Sequence, residues 1–449
     1  MSQEVDATRI PELQQVVTSA LGLAREAGAS AADADASIQK GLGVTVRMGE
    51  VDTIEYTRDR GMAITVYFGQ RKGSASTADL RPEAVRSTVS KACTIARYTA
   101  NDECAGLADA EAMAREFPDL DLNHPWQIEP EQAVEVAREC EAAGMAVDPR
   151  ITNSEGASLS TSRGVRVYGN SHGFLAGFPS TSHSVSCALL AQSGSDLQRD
   201  QWYSVARSPA DLQNGAAIGR RAAQRALARL GAQRLRTRRA AVLFSPEMAR
   251  GLYGHFVGAI SGSSQYRRAS FLLDMAGQQV LPAFVQLQER PHLLRALASG
   301  SFDSEGVATR DRDLVTDGVL SGYVLGSYSA RKLGLKTTGN AGGLHNLLVS
   351  AASAASYDFA GLLKHMGTGF YVTELMGQGV NGVTGDYSRG ASGFWVENGA
   401  IAYPVHEITI AGNLREMLRA IVALGTDVDS QGGIRCGSVL VEGITIAGE

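Results

Sequence analysis

A glycine-flanked serine is the first pattern whose residue types could carry out chemistry. The segment Gly169-Asn-Ser-His-Gly173 matches the G-x-S-x-G elbow, which presents a nucleophilic serine where a strand turns into a helix. Strand-like residues stand on both sides of it, Val165-Arg-Val-Tyr before and Phe174-Leu-Ala-Gly-Phe after. Because no helix follows, the context favours a hairpin turn over a nucleophile.

A glycine-rich run, Gly377-Gln-Gly-Val-Asn-Gly382, matches the G-x-G-x-x-G pattern of dinucleotide-binding proteins. That pattern needs a helix directly after the loop, with its N-terminus facing the phosphates. No helical pattern follows Gly382, so we interpret the run as a glycine-rich loop near a binding surface. The sequence also has no G-x-x-x-x-G-K-[ST] run, which excludes a Walker-type phosphate loop.

The sequence contains no histidine spacing that is typical of a metal site. No H-E-x-x-H run is present and no two histidines stand four residues apart, so spacing alone predicts no metal site. The 47 acidic residues offer so many pairs that no carboxylate dyad stands out. The eight histidines are dispersed along the chain: His124, His172, His183, His255, His292, His345, His365 and His406.

One segment combines a histidine with many small residues. It reads Gly251-Leu-Tyr-Gly-His-Phe-Val-Gly-Ala-Ile-Ser-Gly-Ser-Ser264. The residues alone predict an apolar helix that ends in a flexible loop, with His255 buried or facing a partner.

Hydrophobic periodicity defines the elements that would position such residues. An apolar stripe predicts a helix over residues 10–27, and Gly28 ends it. Alternating segments at residues 44–48, 54–57 and 63–67 predict an antiparallel meander, followed by a helix over residues 80–97. We assign residues 1–100 to an N-terminal α/β segment and residues 101–128 to a linker or decorated loop.

A second α/β segment is predicted over residues 129–232. It has a helix at residues 129–144, a closing helix at 210–230, and strands between them near Ile151 and at residues 157–160, 165–168, 174–178 and 183–192. Both segments enter their last helix through a similar phrase, Thr77-Ala-Asp-Leu-Arg-Pro in one and Arg207-Ser-Pro-Ala-Asp-Leu in the other. The shared plan favours an internal duplication.

Residues 233–449 are predicted to form a C-terminal β-rich, barrel-like domain with few helices. Its one long helical pattern spans residues 246–260, and the rest consists of short strand-like runs with glycine turns. Asp317-Gly318 and Asn398-Gly399 each lie between two such runs and predict hairpins. The fold class is therefore α+β, with an N-terminal antiparallel sheet and flanking helices before the β-rich domain.

Composition narrows the function classes. The net charge of −5 argues against direct nucleic-acid binding through bulk positive charge. The five scattered cysteines lack a C-x-x-C pair and are typical of a reducing compartment. The N-terminus is acidic and polar, unlike a signal peptide, and no apolar run approaches the roughly 20 residues that a membrane span needs. We expect a cytoplasmic protein without membrane association.

Several long segments show a family resemblance that runs essentially from end to end. The chain resembles the PmbA/TldE subunits, described as gyrase modulators, of the TldD/PmbA peptidase family. The segments that carry this resemblance are Leu252-Tyr-Gly-His-Phe-Val-Gly-Ala-Ile-Ser-Gly, Ser301-Phe-Asp-Ser-Glu-Gly-Val, Ser327-Tyr-Ser-Ala-Arg-Lys-Leu-Gly-Leu-Lys, Thr373-Glu-Leu-Met-Gly-Gln-Gly-Val, Thr384-Gly-Asp-Tyr-Ser-Arg-Gly-Ala-Ser-Gly-Phe-Trp-Val-Glu-Asn-Gly and Glu407-Ile-Thr-Ile-Ala-Gly-Asn-Leu.

The resemblance also implies what this chain lacks. The sister subunit of that family, TldD, carries H-E-x-x-x-H and a later cysteine, which hold a metal. On that motif His255 matches the first histidine, but Phe256 replaces the glutamate base and Ile260 replaces the second histidine. Cys436 is matched to the metal-binding cysteine. His255 and Cys436 are thus interpreted as vestigial positions. The expectation is no catalytic residue and no cofactor in this chain, with zinc or a similar metal in the partner.

The function implied by the resemblance is that of a non-catalytic or regulatory subunit in a TldD/TldE-type metallopeptidase complex. Its substrates would be unfolded peptides, including a microcin leader and an antitoxin, and the chain would be inactive without its TldD-like partner. Two alternatives stay open: a modulator that acts directly on a target such as DNA gyrase, and an autonomous hydrolase with an unrecognised site. Pairing of the chain with itself when alone is open as well.

Polar and glycine-rich loops of the C-terminal domain are the candidates for lining a shared peptide cavity. Arg389 could hold a peptide carboxylate or carbonyl, because its forked donors suit such groups. An ordinary surface turn or an internal ion pair is the alternative interpretation for each candidate. The candidates are Tyr266, Arg267, Arg268, Asp386, Tyr387, Ser388 and Arg389.

Overall fold

A computed structural model describes residues 6–448. The first five residues of the acidic N-terminus and the last residue lie outside the described part. Among residues 6–448, none of the helices combines the length and apolar character that a bilayer crossing needs.

The first part of the chain packs two helices against three long strands. Leu13, Val17 and Ala20 of the first helix are fully buried, as the apolar stripe predicted. The elements are α1 (Ile10–Glu26), β1 (Ala31–Arg47), β2 (Glu50–Phe68), β3 (Arg71–Thr77) and α2 (Pro82–Tyr98).

The strand boundaries predicted here need correction. Residues 44–48 cover only the end of β1, and the segments at 54–57 and 63–67 belong to the single strand β2. β1 starts early because Ala32, Ala34 and Ala36 alternate into the core, and alanine is a weak strand signal. β2 shows no alternation over residues 50–60 because all of these residues are exposed.

The second part repeats the plan with longer strands. The closing helix begins later than predicted, because the Asn214 side chain caps the Ala217 N–H after a short 3-10 turn at Pro209–Asp211. One strand, β6, was not predicted, and the short strand runs merge into β4 and β5. The elements are α3 (Pro130–Met145), β4 (Ile151–Asn170), β5 (Leu175–Ser193), β6 (Asp196–Ala206) and α4 (Gly215–Ala228).

One sheet unites the two parts. Its six strands lie in the order β3-β2-β1-β4-β5-β6, and β1 pairs antiparallel with β4 along nearly its whole length. Helix α2 packs on β2 and β3, and α4 packs on β5 and β6, whereas α1 and α3 each pack across the central pair β1 and β4. Two helix–meander–helix units that meet at the β1–β4 boundary are what an internal duplication would produce.

Residues 101–128, here named the strap, join the sheet to the C-terminal half. The strap contains no regular element beyond the 3-10 turn Ala110–Ala112. The Arg331 guanidinium donates to the carbonyl oxygens of Cys104, Gly106 and Leu107. The Asp102 carboxylate accepts hydrogen bonds from Tyr328 at 2.7 Å and Lys332 at 3.0 Å.

The C-terminal half is rich in strands with five short helices among the described residues. Its first elements are β7 (Arg238–Phe244), α5 (Pro246–Ala259), α6 (Gly262–Tyr266), β8 (Val285–Glu289), β9 (Arg312–Thr316), β10 (Val319–Leu320), α7 (Ser327–Lys332) and β11 (Leu347–Ala351). The remaining elements are β12 (Ser356–Tyr357), α8 (Phe359–Met366), β13 (Gly369–Met376), β14 (Asp386–Glu397), β15 (Ala400–Asn413), α9 (Leu414–Arg419), β16 (Ile421–Gly425), β17 (Ile434–Arg435) and β18 (Val439–Ala447).

The predicted barrel-like domain is confirmed. Strands β18, β15, β14, β13 and β7 are neighbours in that order, and β7 pairs again with β18, so five strands close into a barrel. A second sheet has the order β10-β9-β8-β11-β17. Both predicted hairpins are also confirmed, since Asp317-Gly318 and Asn398-Gly399 adopt positive φ between paired strands.

Candidate functional site

Helix α5 presents the histidine to which the family resemblance pointed. Pro246 occupies the first turn of the helix, and Ile260 forms its C-cap. Leu252, Tyr253 and Phe256 face the core, whereas His255 is half-buried. A Cβ added at Gly254 or Gly258 would meet no atom within 4 Å, so the face beside His255 is open.

His255 lies next to two side chains of strand β14. Its ring meets the Tyr387 ring edge-on, with centroids 6.3 Å apart. Burial, and to a lesser degree the charge of Arg389, lower the pKa of His255. The imidazole is therefore neutral at neutral pH and can accept as well as donate a hydrogen bond.

Tyr387 and Arg389 point to the same side of β14, because they stand two residues apart. Burial raises the pKa of Tyr387 to about 12 despite the opposing charge of Arg389, so the phenol stays protonated. Arg389 donates from Nη2 to the Leu375 carbonyl oxygen at 3.3 Å. Its buried Nε finds no acceptor within residues 6–448. His255, Tyr387 and Arg389 thus form one cluster beside the open face of α5.

The two replaced motif positions are core residues. Phe256 and Ile260 are both 0 % exposed and belong to the main hydrophobic cluster of the C-terminal half. A phenyl ring cannot take a proton, and an isoleucine cannot bind a metal. α5 also ends at Ala259, directly before Ile260, so the helix ends within this motif.

Cys436 lies at the opposite end of α5 from His255. Its Sγ donates to the Pro246 carbonyl oxygen at 3.6 Å. Burial raises the pKa of this thiol to about 12, with Arg250 opposing the shift. Nine residues of helix, about 13 Å of its axis, separate Pro246 from His255. The structure does not bring the two positions together, since ligands of one metal lie within about 2.3 Å of it.

A catalytic metal would find no suitable set of ligands here. Within residues 6–448, no group of three or more His, Cys, Asp or Glu side chains is arranged to hold a metal ion. Catalytic zinc in proteins takes three protein ligands. The residues around α5 therefore do not fit the metal that the sister motif of the family would hold.

The other β14 candidates lie away from the cluster. Asp386 and Ser388 are exposed on the opposite side of the strand from Tyr387. The Asp386 carboxylate accepts from the Thr384 hydroxyl at 2.6 Å, and the Ser388 N–H donates to Gly379 at 2.7 Å. Both residues stabilise the turn that precedes β14.

The three candidates after α5 form a separate group. The Tyr266 ring packs edge-on against Tyr328 of α7, with centroids 5.8 Å apart, and the Tyr266 hydroxyl accepts from Arg267 at 3.2 Å. Arg268 pairs with Asp274 at 3.4 Å, and both side chains are 70 % exposed. The structure thus joins His255 to Tyr387 and Arg389 and leaves the other candidates in different places.

The two glycine patterns take the predicted forms. Gly169-Asn-Ser-His-Gly173 spans the end of β4 and the turn into β5, so it joins strand to strand. Gly377-Gln-Gly-Val-Asn-Gly382 lies in the loop between β13 and β14. Neither leads into a helix, which removes the nucleophile elbow and the dinucleotide loop.

A cavity between the two halves of the molecule was not indicated by the sequence. It has a volume of about 510 Å³, and its lining includes Trp202, Arg221, Glu247, Tyr371 and Asp427. The Arg221 guanidinium lies 3.5 Å from the centroid of the Trp202 ring. Its lining residues come from distant segments of the chain, so no local sequence pattern could have predicted this cavity.

Comparison with known proteins gives the chain its family. Three domain models match in order: PmbA/TldA metallopeptidase domain 1 over residues 32–96, the central domain over 123–230 and the C-terminal domain over 237–448. "Metalloprotease PmbA" of Escherichia coli O157:H7 is 50 % identical over 437 residues, which cover 97 % of this chain and 96 % of that protein. A Haemophilus influenzae "Metalloprotease PmbA homolog" is 48 % identical over 97 % of this chain and 96 % of that protein.

Solved structures agree with this assignment. A candidate modulator of a DNA gyrase from Bacteroides thetaiotaomicron superposes with a TM-score of 0.91 at 27 % identity, covering 98 % of this chain and 99 % of that one. TldE from Thermococcus kodakarensis shares the fold, with a TM-score of 0.83 at 19 % identity over 95 % of this chain and 99 % of that one. This chain belongs to the PmbA/TldD metallopeptidase family.

Proposed function

We propose that this chain is the non-catalytic subunit of a TldD/TldE-type metallopeptidase complex and holds peptides for a metal-bearing, TldD-like sister. One observation carries the proposal: Phe256 and Ile260, at the positions expected for the base and a ligand, are fully buried core side chains. Residues 233–449 would be the counterpart of the sister's metallopeptidase domain. Zinc or a similar metal would reside in the sister.

The cluster around α5 supports a peptide-holding role. The half-buried guanidinium of Arg389 suits a peptide carbonyl or a terminal carboxylate, because a guanidinium donates in a fixed fork. The neutral His255 can accept a hydrogen bond from a peptide N–H. The open face at Gly254 and Gly258 leaves room for an extended backbone to approach the helix.

Unfolded or short peptides are the proposed substrates. Recognition through backbone groups does not depend on sequence, which suits peptides as different as a microcin leader and an antitoxin. Holding such a peptide near the sister's metal would lower the entropic part of the barrier to hydrolysis. The described cysteines are all free, which fits a cytoplasmic complex.

A three-way digestion tests the proposal. An unfolded peptide is incubated with this chain alone, with the sister alone, and with both, and cleavage is followed by mass spectrometry. We expect full cleavage only in the mixture and its loss with EDTA. Elemental analysis of the untagged chain should find no stoichiometric zinc.

Two outcomes would contradict the proposal. EDTA-sensitive cleavage by the purified chain alone would show a metal site that the described residues do not provide. Chelator-resistant cleavage by the chain alone would favour an autonomous hydrolase instead.

A further inference from the structure

The outer edge of β2 is open over much of its length. β3 pairs with β2 only from Met62 to Phe68, so residues 50–61, here named the open edge, have no strand beside them within residues 6–448. Residues 50–60 are also exposed on both faces of the sheet. Their outward backbone N–H and C=O groups are therefore available to another strand.

The open edge carries six charged side chains, so it favours a partner strand of complementary charge over an indiscriminate one. It contains no proline and no lysine, and its one irregularity is a bulge at Asp52. Three large apolar side chains face solvent there: Val51 at 44 % exposure, Ile54 at 47 % and Tyr56 at 68 %. An edge of this length and composition is suited to pairing with another strand.

The distribution of charge along the open edge favours a second copy as the occupant. Its first half carries the acidic residues Glu50, Asp52 and Glu55, and its second half carries Arg58 and Arg60 beside a single acid, Asp59. Two copies running antiparallel bring the acidic half of each against the basic half of the other. A parallel arrangement would place like charges together.

One register makes the complementarity specific. An antiparallel pairing centred on Glu55 places Asp52 opposite Arg58 and Ile54 opposite Tyr56. Thr53 then faces Thr57, a pair that strands also favour. Each contact occurs twice because the arrangement has two-fold symmetry. The one unfavourable contact is Glu55 against its own copy at the axis.

We propose that, in the absence of a sister subunit, two copies of this chain dimerise antiparallel through residues 50–61. The two six-stranded sheets would become one continuous sheet across the two-fold axis. This interface is independent of the peptide-holding role proposed for the α5 cluster.

A charge swap tests the dimer. The mass of the purified full chain is measured by light scattering after size exclusion, over a range of micromolar concentrations. We expect a dimer for the wild type and at least about a tenfold weaker dimer for Arg58→Asp, since reversal creates two repulsive pairs. The double variant Asp52→Arg/Arg58→Asp should restore the dimer.

Matched variants keep the result interpretable. Arg86→Asp makes the same charge change on the exposed side of α2 and should leave the dimer intact. Glu55→Gln should tighten the dimer by removing the repulsion at the axis. Circular dichroism verifies that each variant is folded. A monomeric wild type, an unaffected Arg58→Asp dimer, or a double variant that stays monomeric would overturn the proposal.

Discussion

Arg389 is the residue of the α5 cluster that we expect to contribute most to peptide binding. Arg389 lies beside His255 and is itself only half-buried, so part of its side chain stays within reach of a ligand. We expect Arg389→Ala to lower kcat/KM of the reconstituted complex by about tenfold or more, chiefly through KM. The measurement is peptide cleavage kinetics in the wild-type and variant mixtures.

The control for this prediction is Arg268→Ala. Arg268 is exposed and pairs only with the equally exposed Asp274, so its loss should leave the kinetics unchanged. Both variants should co-elute with the sister on size exclusion. Unchanged cleavage with Arg389→Ala would remove the binding role, and loss of co-elution would assign Arg389 to assembly instead.

The sequence could identify single residues of the site but not their distances. Phe256 and Ile260 were recognisable as replacements because they lie in one helical segment with His255. The proximity of Arg389 to His255 depends on barrel closure, which brings together residues more than a hundred positions apart. For Cys436 the motif match suggested a position near His255, but the thiol lies at the start of α5. A motif match cannot tell which end of a helix a distant residue will contact.

Helices α3 and α4 cross with their backbones in direct contact. A Cβ at Gly219 would lie 1.8 Å from the Cys140 carbonyl oxygen, and one at Gly144 would lie 2.6 Å from the Gly219 oxygen. We expect Gly219→Ala to reduce the free energy of unfolding by about 3 kcal/mol, because the helices must move apart. Urea unfolding followed by circular dichroism measures the change.

Gly22→Ala on α1 is the matched control. A Cβ there would meet no atom within 4 Å, so the higher helix propensity of alanine should leave stability unchanged or raise it by up to about 1 kcal/mol. Equal effects of the two substitutions would show that the α3–α4 crossing is not tight.

At the scale of elements, the sequence located helices better than strands. Pro82, Pro130 and Pro246 start three helices near the predicted positions, because proline in the first turn is a local signal. The predicted strand lengths were wrong where the sequence shows no alternation of apolar and polar residues. The alanines of β1 are buried but weakly apolar, and the exposed residues of β2 show no period at all.

At the scale of the whole molecule, the contacts between the two halves could not be predicted from the sequence. Phe174 of the sheet side packs against Phe302 of the C-terminal half, with ring centroids 5.2 Å apart, and Phe117 of the strap contacts both rings. Three distant segments build this contact. The strand-rich character of residues 233–449 and the paired α/β units, by contrast, were predictable, because hairpin turns and repeated patterns are local signals. The closure of the barrel is not local, since β7 pairs with β13 and β18.

Asp33 of β1 gives the junction a measurable pH dependence. Burial raises the pKa of Asp33 to about 7; Lys72 opposes this shift, and Glu305 of the C-terminal half reinforces it. The folded state therefore binds this proton more tightly than the unfolded chain. The stability that the proton contributes is complete below about pH 4 and is lost as pH rises to about 7.

Asp33→Asn tests this dependence. The amide cannot ionise, so the variant should match the wild type near pH 4 and exceed its free energy of unfolding at pH 8 by about 1–2 kcal/mol, below the ceiling of about 4 kcal/mol that linkage sets. Glu442→Gln, an exposed carboxylate on β18, should leave the pH profile unchanged. Urea unfolding at pH 4, 6 and 8 provides the measurement. Parallel profiles for wild type and Asp33→Asn would mean that Asp33 ionises in the folded protein as it does in the unfolded chain. The junction would then tolerate the carboxylate charge beside Glu305.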